Sequence, residues 1–329
     1  MLNFRMKCLL ASLWCFGMIP LAAMAQANPW PTHPVKMVVP FAVGGATDIA
    51  ARILAPALGE ILGQQFIVEI KSGAAGNIAI EAVALAPADG YTLLVGNVST
   101  GSINETLYAS KLKVKPSVAL RPVSLIASIP NLLVSGMDFP PNNMKELIAY
   151  AKARPGELNY SSPLGGYSHL DMLDFTKKAG LTLVNIPSKG AGSSQVGLVA
   201  GDIHFTILNA ASTLTLIKAK KLKAFATTST TRLPYLPDVP TFAESGFPGV
   251  GTDQWNGIFV PAKTPQPIVD KLFNAIIQAL QKPQVKEAFV TAGMTVIPSK
   301  SPEDAAAFIA TETQRWPRII KENNVTVDY

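Results

Sequence analysis

Cysteine is almost absent. The 329-residue chain has two, Cys8 and Cys15, both near its start. From residue 16 onward there is no disulfide, no thiolate nucleophile and no Cys-held metal. Histidine is also scarce: His33, His169 and His204 are the three. No two of them share the close spacing that metal ligands favour. Charged residues make up 15%, against about a quarter in ordinary globular chains. The formal charge is +6 without a Lys/Arg block. The densest basic stretch, Lys218, Lys220, Lys221 and Lys223, reads as a solvated helix–strand edge, so no nucleic-acid partner is expected. A Gly-x-Ser-x-Gly elbow and a phosphate-binding loop with its Lys are missing too. Ser168, His169 and Asp171 sit within one helical turn, where adjacent positions cannot take up Ser–His–Asp geometry. No catalytic residue, metal or cofactor is expected.

What is present begins with an export signal. Arg5 and Lys7 precede the apolar run Leu9–Leu21. Ala23-Met24-Ala25 and Ala25-Gln26-Ala27 both offer small-x-small cleavage sites. The run is short for a membrane span, and no later stretch reaches about 18 apolar residues. Ser12-Leu13-Trp14 before Cys15 suits a lipid-attachment signal poorly. The expectation is a soluble, exported chain cleaved after Ala25 or Ala27.

The remainder is 48% apolar over the whole length, enough for a large core, and its length suggests two domains. Val35–Phe41 is a short apolar run ending at Gly44-Gly45 and predicts a buried strand. Ile49, Ile53, Leu54, Leu58, Ile61 and Leu62 mark one helix face. Thr47 and Asp48 stand at its start, Gly63 at its end, and Pro56 inside should kink it. Strand Phe66–Ile70, helix Ile78–Ala86 and strand Tyr91–Gly96 follow. The alternation implies α/β architecture with a parallel sheet and helices on both faces. It resumes as strands Leu120–Ile129 and Leu132–Ser135, helix Met144–Ala153, strand Leu158–Ser161, helix Ser168–Lys178, strand Leu183–Ile186, helix Ser193–Ala200, strand Ile203–Leu208, helix Leu214–Lys220 and strand Ala224–Thr227. After the Pro- and Gly-rich stretch 234–251 come strand Trp255–Val260 and helices Pro267–Leu280 and Pro302–Lys321. Two stretches, Leu120–Ile129 and Gly249–Phe259, can connect domains. The division expected is a leader at 1–27, a discontinuous first domain at 28–126 and 252–329, and a second at 127–251.

Three helix starts are flanked by glycine: Gly44-Gly45-Ala46-Thr47-Asp48, Gly165-Gly166-Tyr167-Ser168, and Lys189-Gly190-Ala191-Gly192-Ser193-Ser194. Free amides and the helix dipole make each a possible anion site, and glycine lets a ligand approach the backbone. Taken together, they suggest a shared carboxylate site bridging two lobes.

At these loops the sequence resembles the Bug family, the solute-binding proteins of tripartite tricarboxylate transporters. The matching pieces are Pro40-Phe41-Ala42-Val43-Gly44-Gly45-Ala46-Thr47-Asp48 with Ala51-Arg52, Gly73-Ala74-Ala75-Gly76-Asn77, Pro87-Ala88-Asp89-Gly90-Tyr91-Thr92, Lys189-Gly190-Ala191, Thr231-Arg232, Leu236-Pro237-Asp238-Val239-Pro240-Thr241, Glu244-Ser245-Gly246, and Trp255 through Pro267. The resemblance implies a two-lobed Venus-flytrap fold with two crossing strands, a periplasmic location, a monomer, a small carboxylate ligand, and a membrane partner with large and small integral subunits. It also implies that loop amides, hydroxyls and water hold the carboxylate. On this likeness Phe41, Gly45, Ala46, Thr47 and Asp48 form the first binding loop. Ser99, Thr100, Ser162, Ser168, Lys189, Gly190 and Asn209 fall in its other cleft loops.

Three departures from the family pattern bear on the ligand: the loop Ser162-Pro163-Leu164-Gly165-Gly166-Tyr167, Leu173, and Asn256. Tyr167 either stacks on an aromatic acid or packs at the rim, Asp48 either meets the ligand or caps its helix, and Trp255 belongs to cleft or core. Candidate ligands are citrate-like tricarboxylates, C4 to C6 dicarboxylates and aromatic acids such as terephthalate. Besides capture for transport, the same closed form suits a sensor feeding a receptor kinase. An enzyme on such acids would need Asp48 or His169 as base. Intact-mass analysis of the exported protein should place the first residue at Gln26 or Asn28, with no titratable thiol. An exported chain that retains Cys8 and Cys15 would refute the cleavage sites.

Overall fold

The computed structural model describes residues 30–322 and 325–326, so the leader assigned to 1–27 lies outside the described residues. The described residues from Pro31 onward form one body. It opens with β1 (Val35–Val39), buried at all but Lys36, as expected of a strand covered on both faces. Helix α1 (Ala46–Leu62) follows and runs through Pro56, ending at Gly63 in the left-handed conformation. Then come β2 (Phe66–Ile70), α2 (Asn77–Ala84) and β3 (Thr92–Asn97). A π-helical turn at Ser99–Ile103 leads into the short helices α3 (Asn104–Leu107) and α4 (Pro116–Ala119), and so to the long strand β4 (Leu120–Ile129).

Beyond Pro130 the chain builds β5 (Asn131–Gly136), α5 (Met144–Lys152), β6 (Asn159–Ser162), α6 (Tyr167–Ala179), β7 (Val184–Pro187), α7 (Ala191–Ala200), β8 (Phe205–Asn209), α8 (Ala210–Lys218) and β9 (Leu222–Thr227). Helix α5 starts with a reciprocal cap: Asn143 accepts the Glu146 amide while its own Nδ2 donates to the Glu146 carboxylate. The chain returns through β10 (Gln254–Pro261), then α9 (Gln266–Gln281), α10 (Pro283–Thr291), β11 (Thr295–Val296) and α11 (Pro302–Glu322).

The strands form one six-stranded sheet in the order β11-β4-β10-β3-β1-β2, a three-stranded sheet β8-β5-β9, and the pair β6-β7. The expected all-parallel sheet needs correction. β1 is parallel to β2 and β3, and β6 to β7, but β10 is antiparallel to β3 and β4. β5 is antiparallel to both β8 and β9. The cause is the crossing. The chain leaves the first lobe along β4 and comes back along β10, so these neighbours must oppose each other. β5 follows β4 directly and enters the second lobe against its crossover strands.

Among the described residues, three apolar clusters account for part of the packing. One, around Val38, Leu94, Trp255, Phe259 and Trp316, underlies the six-stranded sheet. Two more, around Phe175, Phe205 and Phe225 and around Leu132, Leu198 and Leu222, lie on either side of β5. α7 packs so closely on the end of β5 that a Cβ at Gly136 would stand 2.3 Å from the Leu198 carbonyl oxygen. Gly136→Ala should therefore cost about 1–3 kcal/mol, read as a lower urea midpoint at unchanged m-value. An unshifted midpoint would show that α7 yields freely.

Candidate functional site: an interlobe cleft closed on glycine

The loop after β1 turns at Gly44, whose φ is +83°, so that its amide donates to Asp48 Oδ2 at 3.0 Å. Arg52 Nε, one helical turn on, donates to Asp48 Oδ1 at 2.8 Å. Asp48 is 2% exposed, and its two oxygens are taken up in bracing the loop. Gly45 is the N-cap of α1 and makes no side-chain bond. The amides of Ala46 and Thr47 lie in the first turn, where the helix offers no acceptor.

The second lobe presents two more helix starts to the same place. Gly166 is the N-cap of α6 and Gly190 that of α7. The lobes are held together there: Ala42 N donates to the Lys189 carbonyl at 3.2 Å, and Tyr167 N donates to Ser99 Oγ at 3.0 Å. Farther out, Tyr108 donates to the Leu164 carbonyl, Tyr235 to the Gly293 carbonyl, and Lys177 to the Glu322 carbonyl. Glycine makes the approach possible. A Cβ at Gly190 would meet Phe41 Cβ at 3.1 Å, and one at Gly192 would meet the Val43 carbonyl oxygen at 2.1 Å.

The cleft so enclosed is nearly shut, with about 30 Å³ of free space. One wall is Phe41, Gly45, Ala46, Thr47, Asn97, Ser99 and Gln254; the other is Pro163, Gly166, Tyr167, Ser168, Gly190, Ala191, Leu208 and Asn209. Among the described residues no charged side chain lines it. Three of its hydroxyl oxygens already accept a protein N–H. Ser99 accepts from the Tyr167 amide, Thr47 from Asn256 Nδ2 at 2.9 Å, and Tyr167 from Asn209 Nδ2 at 3.3 Å. Each is left with its own proton to donate. Burial raises the Tyr167 phenol well above its ordinary pKa, which keeps that proton in place. Asn209 is oriented in turn, its Oδ1 accepting the amide and hydroxyl of Ser212.

A model described as the tripartite tricarboxylate transporter family receptor (TctC) matches residues 50–325. The chain belongs to that receptor family. It is 36% identical to protein BugT of Bordetella pertussis over 303 residues, 92% of this chain and 93% of that protein. The periplasmic binding protein BugD aligns at TM-score 0.86 and 34% identity, over 90% of this chain and 99% of BugD. A protein of R. palustris, solved with adipate, aligns at 0.86 and 34% over 90% and 99%. MatC from Rhodopseudomonas palustris, with bound malate, aligns at 0.83 and 32% over 88% and 99%. The receptor shares the two-lobed periplasmic-binding-protein fold with its strand crossing.

Of the residues named from the sequence, the receptor brings Phe41, Gly45, Ala46, Thr47, Ser99, Tyr167, Ser168, Gly190 and Asn209 to the cavity. Five others stand elsewhere. Asp48 braces the loop instead of capping α1. Thr100 Oγ1 accepts the Asn97 amide and so shapes the π-helical turn. Ser162 donates to Asn185. Lys189 is exposed and contributes its carbonyl only. Trp255 is buried against Phe259 and Phe308, in the core. Tyr167 packs its ring among Leu170, Trp255 and Val98 and carries its hydroxyl to Asn209. The lining residues not singled out are Asn97, Pro163, Gly166, Ala191, Leu208 and Gln254. Gly166 and Ala191 sit inside recognised glycine loops. Gln254 carries no local signal at all.

His169 and Asp171, the neighbours of Ser168, are bound to different partners. His169 Nδ1 accepts the Gly165 amide at 3.0 Å, and Asp171 accepts the amide and hydroxyl of Thr252. Burial lowers the His169 pKa from 6.5 to about 4, so the folded receptor holds this ring neutral. The unfolded chain binds that proton more readily, so stability is lost as pH falls from 6.5 towards 4, by about 3 kcal/mol in full. In His169→Gln the melting temperature should fall less steeply over that window. Parallel curves for the two proteins would sink this assignment.

Proposed function

We propose that this receptor captures a small organic carboxylate between its lobes in the periplasm and presents it, closed, to a tripartite tricarboxylate-type transporter with one large and one small integral subunit. The reading assigns residues 28–126 and 252–329 to one lobe and 127–251 to the other. The observation that carries it is the chemistry of the cleft lining. Helix-start amides from three helices and three proton-bearing hydroxyls converge on one space, and no side-chain cation competes with them. Amides at helix N-termini suit an anion, and hydrogen bonds to a charged acceptor are about twice as strong as neutral ones. Adipate and malate, held by relatives of this fold, are acids of this kind.

Catalysis has no support from the same residues. Asp48 is committed to Arg52 and Gly44, and His169 Nδ1 to Gly165, and among the described residues no other candidate base lines the cavity. Gly45 fits capture better than fold necessity. Its φ is −77°, and a Cβ there would meet its nearest neighbour, the Ala42 carbonyl oxygen, at an ordinary 3.4 Å. A ligand approaching the α1 amides is a reason for its bareness.

A thermal-shift series of mono-, di- and tricarboxylates, with calorimetry on the hits, tests this. At a hundredfold excess over Kd a true ligand stabilises by about 2.7 kcal/mol. Gly192→Ala obstructs closure and should cut affinity at least tenfold. Gly45→Val should do the same by covering the amides. Wild-type affinity in both variants, or no response to any acid, would remove the carboxylate reading.

A further inference from the structure

The described cavity lining carries three side-chain amides, and two of their oxygens are engaged: Asn97 Oδ1 by the amides of Ser99 and Thr100, Asn209 Oδ1 by Ser212. Gln254, the first residue of β10, is 1% exposed and faces the cavity. Its Oε1 is fully buried and has no hydrogen-bond partner among the described residues. Its neighbour on the same strand face, Asn256, uses Nδ2 to orient the Thr47 hydroxyl and also donates to the Gly96 carbonyl. Gln254 makes no comparable bond. A buried amide oxygen left without a donor is costly; those of Asn104, Asn131 and Asn256 are also unpaired among the described residues, but of the four only Gln254 lines the cavity.

We infer that Gln254 is the residue that reads a second group on the ligand: a neutral hydrogen-bond donor, either a hydroxyl or a carboxamide N–H, carried by the acid whose carboxylate sits on the helix-start amides. This deepens the carboxylate reading and rests on it. Ser99, Thr47 and Tyr167 and the free amides all donate, so they serve the carboxylate; Gln254 Oε1 is the amide oxygen of the lining that no protein donor engages. An ammonium group is the poorer match. Among the described residues no carboxylate lines the cavity, and the nearest acid of the first loop, Asp48, is already paired with Arg52. Burying a cation against one amide oxygen leaves its charge unbalanced. The ligand class is thus a short hydroxycarboxylate or acid amide, in preference to the plain diacid or the amino acid of equal length.

The test uses matched pairs that differ in one group: succinate against malate, succinamate and aspartate, and glutarate against 2-hydroxyglutarate, each titrated calorimetrically into the wild-type receptor and into Gln254→Met. Met keeps the length and apolar bulk of the side chain and removes the amide. The expected result is at least a tenfold wild-type preference for the hydroxylated or amide member of a pair. It should fall below threefold in Gln254→Met, with affinity for the plain diacid held within threefold. Retained diacid binding shows that the variant folds and closes. Equal or tighter wild-type binding of the plain diacid would overturn the inference, because the amide would then present Nε2 as one more donor. So would a preference that survives in Gln254→Met, or tightest binding of aspartate. If diacids bind without discrimination, only the role of Gln254 fails. If none of these acids binds, the carboxylate reading fails and takes this inference with it.

Discussion

The Ala42 amide meets the Lys189 carbonyl at 3.2 Å, and the cleft exists because backbone can meet backbone there. Side chains would hold the two loops apart. At Gly192 even a methyl group would lie 2.1 Å from the Val43 oxygen, well inside contact distance. With the loops together, the starts of α1, α6 and α7 point into one small volume, and the hydroxyls of Ser99 and Tyr167 fall within reach of it. These donors owe their places to partners: Asn256 outside the cavity for Thr47, Asn209 in its wall for Tyr167, and Arg52 for the carboxylate that shapes the first loop.

Keeping charge out of the lining has a physical rationale. A buried Lys or Arg would attract an acid strongly, but it would also stand uncompensated whenever the cleft is empty. Amides and hydroxyls carry partial charges that water can satisfy in the open form and a ligand in the closed one. They lose little by alternating. A device that must release what it catches is served by donors of this strength.

Much of the fold was legible because its signals are local. The apolar run at Val35–Val39 and the helix face from Ile53 to Leu62 are written within a few residues of each other. Strand direction is not local, and the antiparallel setting of β10 and β5 follows from where the chain crosses between lobes. Helix α10 offers only Val285 and Phe289 as buried apolar positions, too sparse a stripe to show periodicity. The π-helical turn at Ser99–Ile103 depends on Asn97, whose side chain accepts the amides of Ser99 and Thr100. In the cleft, the glycine loops named most of the donors, since glycine marks close approach. Gln254 was invisible for the opposite reason. Nothing nearby in sequence distinguishes it; only the fold shows its oxygen buried at the cavity without a donor among the described residues.

Tyr167 belongs to the second lobe by sequence, yet its ring is seated among Val98, Leu170 and Trp255 in the core beneath the six-stranded sheet. Parting the lobes must draw that ring out and wet it. Closure thus buries apolar surface as well as polar donors. A solute held between the lobes is shut in partly by a contact it does not make itself.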